Sequence, residues 1–495
     1  MVQPLPTTGN GVARLHTIHL LMLIALILTP IIGAILLGYV GTERIKQTAL
    51  AVTIVEAWLG CILMVQFDLS AVGYQFVTGW SDSSFMHPVL GVDGLSILFI
   101  LLTVMLTPVC VLASWRNVRQ SVKAYLQCLM VVEGLLVAVF SVLDLILFYV
   151  TFEAVLIPLF LMVGVWGGSP TRARSALLLF LYTLTGSLFM LVAIVRIRVT
   201  VGSTDFATVT LAAIDPQAQR LLWLGFWVAL MTKTPMVPLH IWLPRAHADA
   251  PLAGSMLLAG VVLKLATYGM VRVLLTMLPE ASSEFAPLVQ VLALISLLYA
   301  SLATIRQVDM KALVAYSSIA HMAVVVIGLF SNTVLGITGA LVLSLAHGVV
   351  SPALFMLVGG VLYDRYHTRT IRYYRGLTVM MPLLSTLFFL ATAANMGVPL
   401  SGNWLSEVMS LAGAFQRSPM VGIVGASGIV LSACYSIWLW SRMTSGSMSP
   451  HLGYTIDLTR RELHTLAPLL ATALWLGILP QTVLDVFGSA ITPIV

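Results

Sequence analysis

Long apolar runs, separated by short polar segments, follow one another along almost the whole chain. Most of these runs are at least as long as the roughly 20 residues that an α-helix needs to cross a bilayer. The pattern predicts fourteen membrane spans, near residues 17–41, 47–67, 92–115, 124–142, 145–166, 175–197, 219–243, 251–278, 285–304, 309–330, 333–363, 377–416, 420–441 and 463–488. We therefore expect an all-α polytopic membrane protein.

The composition supports this prediction, because 59% of the 495 residues are hydrophobic and only 9% are charged. An ordinary soluble domain has about a quarter of charged residues, so a soluble enzyme, a disordered protein and a nucleic-acid-binding protein are excluded. The sequence also contains no CxxC pair, no Cys/His cluster and no glycine-rich nucleotide-binding motif. We therefore expect no metal and no cofactor in this chain.

The formal net charge of +6 indicates topology rather than an anionic partner. When the loops are assigned alternately to the two sides of a membrane, seventeen Lys and Arg residues fall on one side. Six fall on the other side, namely Arg14, Arg196, Arg198, Arg220, Arg272 and Arg417. Because basic loops face inward, both termini are predicted on the outer side. Two of the 25 basic residues, Lys233 and Lys264, belong to neither side because they lie inside apolar runs.

Ionisable side chains inside the predicted spans are the candidate functional residues. An ionised group at the bilayer centre costs about 2.5–3.5 kcal/mol on insertion scales, so such groups are rare unless they are used. Besides the two lysines, the runs contain Glu56, Glu133, Glu153, Glu407, His240, His321 and His347. Proton transfer through a membrane requires groups of this kind, which bind and release protons. For any single one, satisfaction by a neighbouring carbonyl or hydroxyl is the alternative.

Two of the predicted spans are interrupted. Pro235 and Pro238 break span 7, and Gly397 with Pro399 breaks span 12. Interrupted spans at corresponding positions of two halves are typical of inverted repeats with a site near the membrane midplane. Five spans separate the two breaks, so we predict two inverted five-helix repeats, with two unrelated proline kinks as the alternative. The predicted domains are residues 1–122 (spans 1–3), 123–280 (first repeat, spans 4–8), 281–445 (second repeat, spans 9–13) and 446–495 (span 14).

The residues around the first break resemble a known family. The segment that precedes Lys264 reads KTPMVPLHIWLPRAHADAPLAGSMLLAGVVL. Further matches are FEAVLIP, RQVDMKALVAYSSIAHM, LAHGVVSPALF, GVLYDRYHTR and YSIWLWSR. These motifs are similar to those of the antiporter-like subunits of respiratory complex I, and among them to the chain 4 members of NADH:ubiquinone oxidoreductase. The resemblance covers nearly the whole chain.

The resemblance implies a role for most of the candidate residues. Glu153 and Lys233 match the Glu/Lys pair of the family. Lys264 matches its central relay lysine, and Glu407 matches its distal carboxylate. Three histidines match the hydrated axis between these groups, and one further glutamate matches a family carboxylate of less settled role: His240, His321, His347 and Glu133. Glu56 matches no motif of the family, which favours a hydrated or lipid-interface position for it.

The family's function implies that the chain is a proton-translocating subunit of an H⁺-translocating NADH:ubiquinone reductase, without a redox centre of its own. NADH, FMN, iron–sulfur clusters and ubiquinone are then expected in partner subunits. The expected partners are the neighbouring antiporter-like chains 2 and 5 and lipids, and no nucleic acid. The expected location is the mitochondrial inner membrane, with both termini in the intermembrane space, and a bacterial plasma membrane is the alternative.

Two other functions compete with this interpretation. A multisubunit cation/proton antiporter shares the broken helices and the lysines, but such relatives typically carry Lys at the position of Glu407. A purely structural membrane scaffold is the second alternative, and the buried lysines argue against it because they are costly to insert.

Overall fold

The computed structural model describes residues 10–71, 73–78 and 89–491, with side chains from residue 22 onward. The first eleven helices, α1–α11, are Asn10–Leu37, Ile45–Gln66, Gly94–Ala113, Val122–Ser141, Leu145–Ala154, Leu156–Trp166, Arg172–Val201, Phe206–Leu211, Pro216–Lys233, Trp242–Asp249 and Leu252–Leu257. The next eleven, α12–α22, are Lys264–Gly269, Pro279–Ile305, Met310–Leu329, Val334–Phe355, Tyr363–Tyr366, Leu377–Met380, Pro382–Asn395, Gly402–Arg417, Pro419–Thr444, Arg460–Ile478 and Gln481–Ile491. Three π-helical segments, Leu258–Val262, Met270–Leu275 and Met356–Leu362, and one 3₁₀ turn, Ile371–Tyr373, lie between them.

In the described part of the chain, ten continuous helical stretches are long and apolar enough to cross a membrane. The bent pair α21 and α22 would make eleven, and the apolar segments Met22–Leu37 and Pro382–Asn395 are shorter. The prediction of an all-α polytopic membrane protein is therefore confirmed. The number of fourteen spans and the two inverted repeats stay predictions.

The interior of the bundle is formed by three stretches that other helices surround. The hydrophobic windows of Leu252–Leu275 and Val334–Tyr366 are completely buried inside the protein, and that of Met310–Leu329 is 89% buried. By contrast, only 28% of the corresponding window of α2 is buried. Charged groups on the three inner stretches are consequently shielded from lipid, which places Lys264, His321 and His347 at the centre of the fold.

Both predicted helix breaks are present. Helix α9 ends at Lys233 and α10 begins at Trp242, because Pro235 and Pro238 supply no backbone N–H for a continued helix. Side chains satisfy the freed backbone groups: Ser296 accepts from the Val237 N–H at 3.0 Å, and the Trp242 indole donates to the Thr232 carbonyl at 3.0 Å. Irregular backbone is tolerated at this depth because protein groups replace the missing water.

The second break lies between α18 and α19. Gly397 adopts a φ of +73°, in the left-handed region that favours glycine, and turns the chain out of α18. Ser401 then caps α19, its hydroxyl accepting a hydrogen bond from the Trp404 N–H at 3.3 Å. The break therefore fixes the position at which α19 starts.

Three features of the fold differ from the sequence prediction. A two-stranded antiparallel sheet, β1 (Gln75–Thr78) with β2 (Leu90–Val92), joins α2 to α3. The predicted span 14 is bent, because α21 and α22 meet at an angle of 71°, and whether the two helices form one span stays a prediction. The predicted span 8 is helical throughout but contains two π-helical segments, Leu258–Val262 and Met270–Leu275.

Arg272 is also placed differently, since it lies buried in a helical segment rather than in an outer loop. Its guanidinium donates to the Asp93 carboxylate at 2.7 Å, to the Tyr74 hydroxyl at 3.2 Å and to the Ser96 hydroxyl at 3.3 Å. The rings of Tyr74 and Tyr268 lie within 5.2 Å of the guanidinium carbon. Burial raises the pKa of Tyr74 to about 12, so its hydroxyl stays neutral beside the cation. This cluster ties the segment before β1 to α3 and to the helix that carries Lys264.

Candidate functional site

Lys264 is fully buried at the start of α12, directly after a π-helical turn. In a regular α-helix the Leu263 N–H would donate to the Ala259 carbonyl, but here it donates to Leu258 instead, at 3.3 Å. The Ala259 carbonyl thus lacks its α-helical donor Leu263 and accepts a hydrogen bond from the Lys264 Nζ. The wide turn therefore provides a polar partner for a lysine that is fully buried.

The second partner of Lys264 is His347, at the middle of α15. Its Nδ1 lies 2.9 Å from the Lys264 Nζ. The approach is possible because Gly348 has no side chain: a Cβ there would lie 2.8 Å from the Gly260 carbonyl oxygen and 3.4 Å from the Lys264 Cε. The helices come close at this glycine, which brings an amine and an imidazole from different spans into hydrogen-bond contact.

His321 and Glu407 continue the contact beyond His347. The ring centroids of His347 and His321, on α15 and α14, are 5.7 Å apart. The His321 Nδ1 then lies 2.8 Å from the Glu407 Oε1, on α19. All four side chains are buried, and Lys264, His347, His321 and Glu407 form a line of acid and base groups across four helices, which we call the central line.

Glu407 lies at the end of the central line next to the break before α19. A Cβ at Gly397 would lie 3.1 Å from the Glu407 Oε2, so glycine leaves room for the carboxylate as well as forming the turn. A cavity of about 10 Å³ lies beside His321 and Glu407 and is also lined by Ser432 and Tyr435. This is room for about one water molecule. The Tyr435 hydroxyl has no partner among the described residues, so such a water would satisfy it.

Lys233 and Glu153 form a separate group, which no hydrogen bond joins to the central line. The Lys233 Nζ lies 4.3 Å from the centre of the Phe152 ring, next to Glu153 in sequence. The charges of Lys233 and Glu153 act on each other, but neither side chain has a hydrogen-bond partner among the described residues. Glu153 stands two residues before the short irregularity between α5 and α6. No hydrogen bond therefore fixes the separation of these two groups in the described structure.

Two further candidates lie away from the central line. The His240 ring, in the break between α9 and α10, packs against the rings of Tyr299 and Tyr316 with centroids 5.0 Å and 6.3 Å away. Glu133, on α4, faces Glu56 on α2. The lipid-interface position expected for Glu56 is therefore wrong, because its side chain is fully buried beside another acid, while the hydrated position stays a prediction.

Two residues of the site were not among the sequence candidates. His247, on α10, is fully buried, stacks on Phe355 with ring centroids 4.6 Å apart, and has no hydrogen-bond partner for either ring nitrogen in the described structure. Lys311, at the start of α14, is buried and donates to the Ala250 carbonyl at 2.7 Å. The charges of Lys311 and Lys264 both act on the His247 ring, so both lysines lie in its neighbourhood.

Lys311 also lines a cavity of about 350 Å³ at the ends of the helices that carry the basic loops. Its wall further includes Arg119, Arg172, Tyr363, Asp364 and Arg369. Gly359 gives the lysine side chain its space, since a Cβ there would lie 2.6 Å from the Lys311 Cε. The lysine is visible in the segment DMKAL, but Lys311 stands at the end of a predicted span, where the sequence pattern predicts a loop residue.

Comparison with known proteins identifies the family. A family model described as NADH-ubiquinone oxidoreductase chain 4, amino terminus, matches residues 45–143. A second, described as NADH:quinone oxidoreductase/Mrp antiporter, matches residues 142–432. NADH-ubiquinone oxidoreductase chain 4 of Mycosarcoma maydis is 57% identical over 470 residues, which cover 94% of this chain and 97% of that protein. The chain belongs to the NADH-ubiquinone oxidoreductase chain 4 family.

The chain 4 family resemblance extends to plants and to solved structures. Chain 4 of Arabidopsis thaliana is 43% identical over 476 residues, covering 95% of this chain and 96% of the relative. A chain of respiratory complex I from Thermus thermophilus has a TM-score of 0.87 at 28% identity, covering 95% of this chain and 99% of that one. A chain of the Mrp complex from Dietzia has the same TM-score at 17% identity, covering 97% and 98%, which shows a shared fold.

The described residues contain no group of three or more His, Cys, Asp or Glu side chains that could hold a metal ion.

Proposed function

We propose that this chain is a proton-translocating subunit of the membrane arm of respiratory complex I. Family membership supports the assignment to the complex, and the central line supports the chemistry. Lys264, His347, His321 and Glu407 each bind and release a proton, and successive members lie in hydrogen-bond contact except at the gap between the two imidazoles. The single observation that carries the proposal is this row of four buried acid and base groups, with a hydrogen-bond contact at each end, through the centre of the bundle.

A proton moves along the central line in three steps. Protonated Lys264 donates to the neutral Nδ1 of His347, at 2.9 Å. The His347 Nε2 and the His321 Nε2 have no hydrogen-bond partner in the described structure, and the ring centroids are 5.7 Å apart, so a ring movement or an inserted water joins the two nitrogens. The His321 Nδ1 then passes the proton to Glu407 at 2.8 Å.

Lys233 and Glu153 act as the switch that loads the central line. A lysine in a poorly hydrated site gives up its proton easily, while a nearby carboxylate holds the proton on it. The lack of a hydrogen bond between the two groups supports this role, because a change in their separation alters the balance. The driving free energy comes from quinone reduction in partner subunits, which carry the NADH, FMN, iron–sulfur clusters and ubiquinone.

The assembly and its location follow from the same proposal. The chain lies in the mitochondrial inner membrane next to the antiporter-like chains 2 and 5, with lipid on its outer faces and both termini toward the intermembrane space. A multisubunit cation/proton antiporter is the competing function, and the fold shared with the Mrp chain is compatible with it. Purification separates the two: co-purification with flavin and iron–sulfur subunits supports complex I, and co-purification with antiporter subunits alone contradicts it.

Replacing Lys233 with alanine tests the switch. In complex reconstituted into vesicles, we expect proton pumping to slow about 100-fold, because the lysine of the switch that loads the central line is lost. The measurement compares proton uptake by the vesicles with NADH oxidation. Lys123→Ala is the matched control, since Lys123 lies at the start of α4, where its Nζ donates to the Gly38 carbonyl, far from the relay. Wild-type pumping by an assembled Lys233→Ala complex contradicts the role.

His247 and Lys311 provide the access route from the basic side. Lys311 lines the 350 Å³ cavity, and the charges of Lys311 and Lys264 both act on His247. Both ring nitrogens of His247 are unpaired in the described structure. Protons taken up from the matrix therefore enter the central line at Lys264. This route gives a function to two costly buried groups, the Lys311 amine and the His247 imidazole, whose ring nitrogens have no hydrogen-bond partner in the described structure.

His247→Phe is expected to slow proton uptake about 100-fold, because phenylalanine keeps the stacking on Phe355 and removes the two nitrogens. The rate of matrix-side proton uptake in the reconstituted complex is the measurement. His464→Phe serves as the control, because His464 is exposed on α21. Equal uptake rates in both variants would remove His247 from the route.

A further inference from the structure

A second acid pair, Glu56 and Glu133, lies outside the relay. Glu56 stands near the middle of α2 and Glu133 near the middle of α4. Because each helix rises about 1.5 Å per residue, both carboxyl groups lie near the centre of the membrane. The two side chains are fully buried and face each other, and their charges interact.

Neither carboxyl group has an obvious counter-charge. None of the four carboxyl oxygens has a hydrogen-bond partner among the described residues. No Lys, Arg or His among the described residues forms an ion pair with either glutamate. Thr107 of α3 adjoins Glu133, but its hydroxyl donates to the Thr103 carbonyl at 3.0 Å. Cys110 of α3 is the other titratable group beside the pair. The pair is thus acidic, buried and uncompensated.

The surrounding packing leaves little room for water around the two acids. A Cβ at Gly60 of α2 would lie 2.6 Å from Val104 of α3, so these helices are in close contact four residues after Glu56. A Cβ at Gly134 of α4 would lie 2.9 Å from Ile31 and 3.0 Å from the Ile27 carbonyl oxygen of α1. Helices α1, α2 and α3 therefore enclose the pair together with α4.

Electrostatics decides the state of such a pair. Two carboxylates side by side repel each other, and each one also loses its hydration when it is buried. Acid pairs in this situation keep a proton, because both groups cannot ionise together without a cation. A proton bound by either group converts one carboxyl into a hydrogen-bond donor, which gives the facing oxygens the partner that they lack.

We infer that Glu56 and Glu133 form a second proton-binding site of this chain, in which the two carboxyl groups hold a proton between them at neutral pH. The site is separate from the central line and from the Lys233 and Glu153 pair. Its ligand is a proton rather than a metal cation. It does not depend on the relay, because its occupancy is a property of the resting protein.

Infrared spectroscopy of the purified, resting complex tests this site. A protonated carboxyl group has a carbonyl stretch well separated from carboxylate absorption, and the band shifts when the complex is exchanged into D₂O. We expect Glu56→Gln and Glu133→Gln each to alter this band at neutral pH, and the double variant to remove the contribution of the pair. Glu280→Gln is the control, because Glu280 is exposed at the start of α13 and loses only carboxylate absorption.

Two results would overturn the inference. Loss of carboxylate absorption alone in Glu56→Gln and Glu133→Gln would show that both acids are ionised. A protonated band that disappears when sodium replaces choline in the buffer would show that a cation occupies the site. If the glutamine variants do not assemble, Glu56→Asp and Glu133→Asp keep an acid at each position: a shifted protonated band supports the site, and an unchanged one contradicts it. The measurement needs no NADH turnover, so failure of the relay proposal leaves its outcome unaffected.

Discussion

Replacing Lys264 with methionine is expected to slow proton transfer to Glu407 by about 100-fold, the effect typical of losing a positioned acid–base group. Methionine fills a similar volume, but it neither carries a proton to His347 nor donates to the Ala259 carbonyl. Because pumping and electron transfer are coupled, NADH oxidation and proton pumping should fall together in the reconstituted complex. Both rates are measured on the same vesicles after assembly has been verified.

Two further variants make this result specific. Lys264→Arg keeps the positive charge but holds its proton permanently, so we expect it to be as inactive as methionine. Ser344→Ala removes a buried hydroxyl of α15 that donates to Thr267 at 3.4 Å, close to Lys264 and outside the central line, and should leave both rates near wild type. Coupled pumping by Lys264→Met at the wild-type rate would exclude the central line as the path.

Asp93→Ala is expected to destabilise the folded chain by about 3–5 kcal/mol, because it leaves the Arg272 guanidinium buried without its counter-charge. The measurement is the thermal unfolding of the chain within the purified complex. Glu284→Ala breaks the exposed ion pair with Arg220 and should cost no more than about 1 kcal/mol.

The double variant Asp93→Leu with Arg272→Leu distinguishes the cost of an unpaired buried charge from the contribution of the ion pair itself. Removing both charges eliminates the unpaired cation, so much of the stability lost in Asp93→Ala should return. If Asp93→Ala unfolds at the wild-type temperature, the cluster of Arg272, Asp93, Tyr74 and Tyr268 does not hold the segment before β1 to the core.

The helix pattern of this chain was largely predictable, because membrane insertion imposes long apolar runs and proline interrupts them. Pro235 and Gly397 predict the two helix breaks from the sequence alone, without knowledge of tertiary contacts. The buried lysines and glutamates were equally visible, since each stands alone in an apolar run. The resemblance to complex I subunits indicated which of these residues act together, and their spacing along the sequence alone does not show this.

Contacts between distant segments could not be predicted in this way. Glu56 has Glu133 as its neighbour only because α2 and α4 pack together, which no local pattern encodes. Lys311 and Arg272 were counted as loop residues because they stand near predicted span ends, yet tertiary packing buries both. His247 stands just beyond the predicted end of span 7, so no apolar run marked it as buried.

The π-helical turn before Lys264 sets the rotational phase of the helix that follows. Such a turn contains one residue more than an α-helical turn, and one residue corresponds to about 100° of rotation around the axis. Shortening the segment Leu258–Val262 by one residue would restore α-helical hydrogen bonding and turn Lys264 about 100° away from His347. The position of the proton carrier therefore depends on a surplus residue in the backbone as much as on the lysine itself.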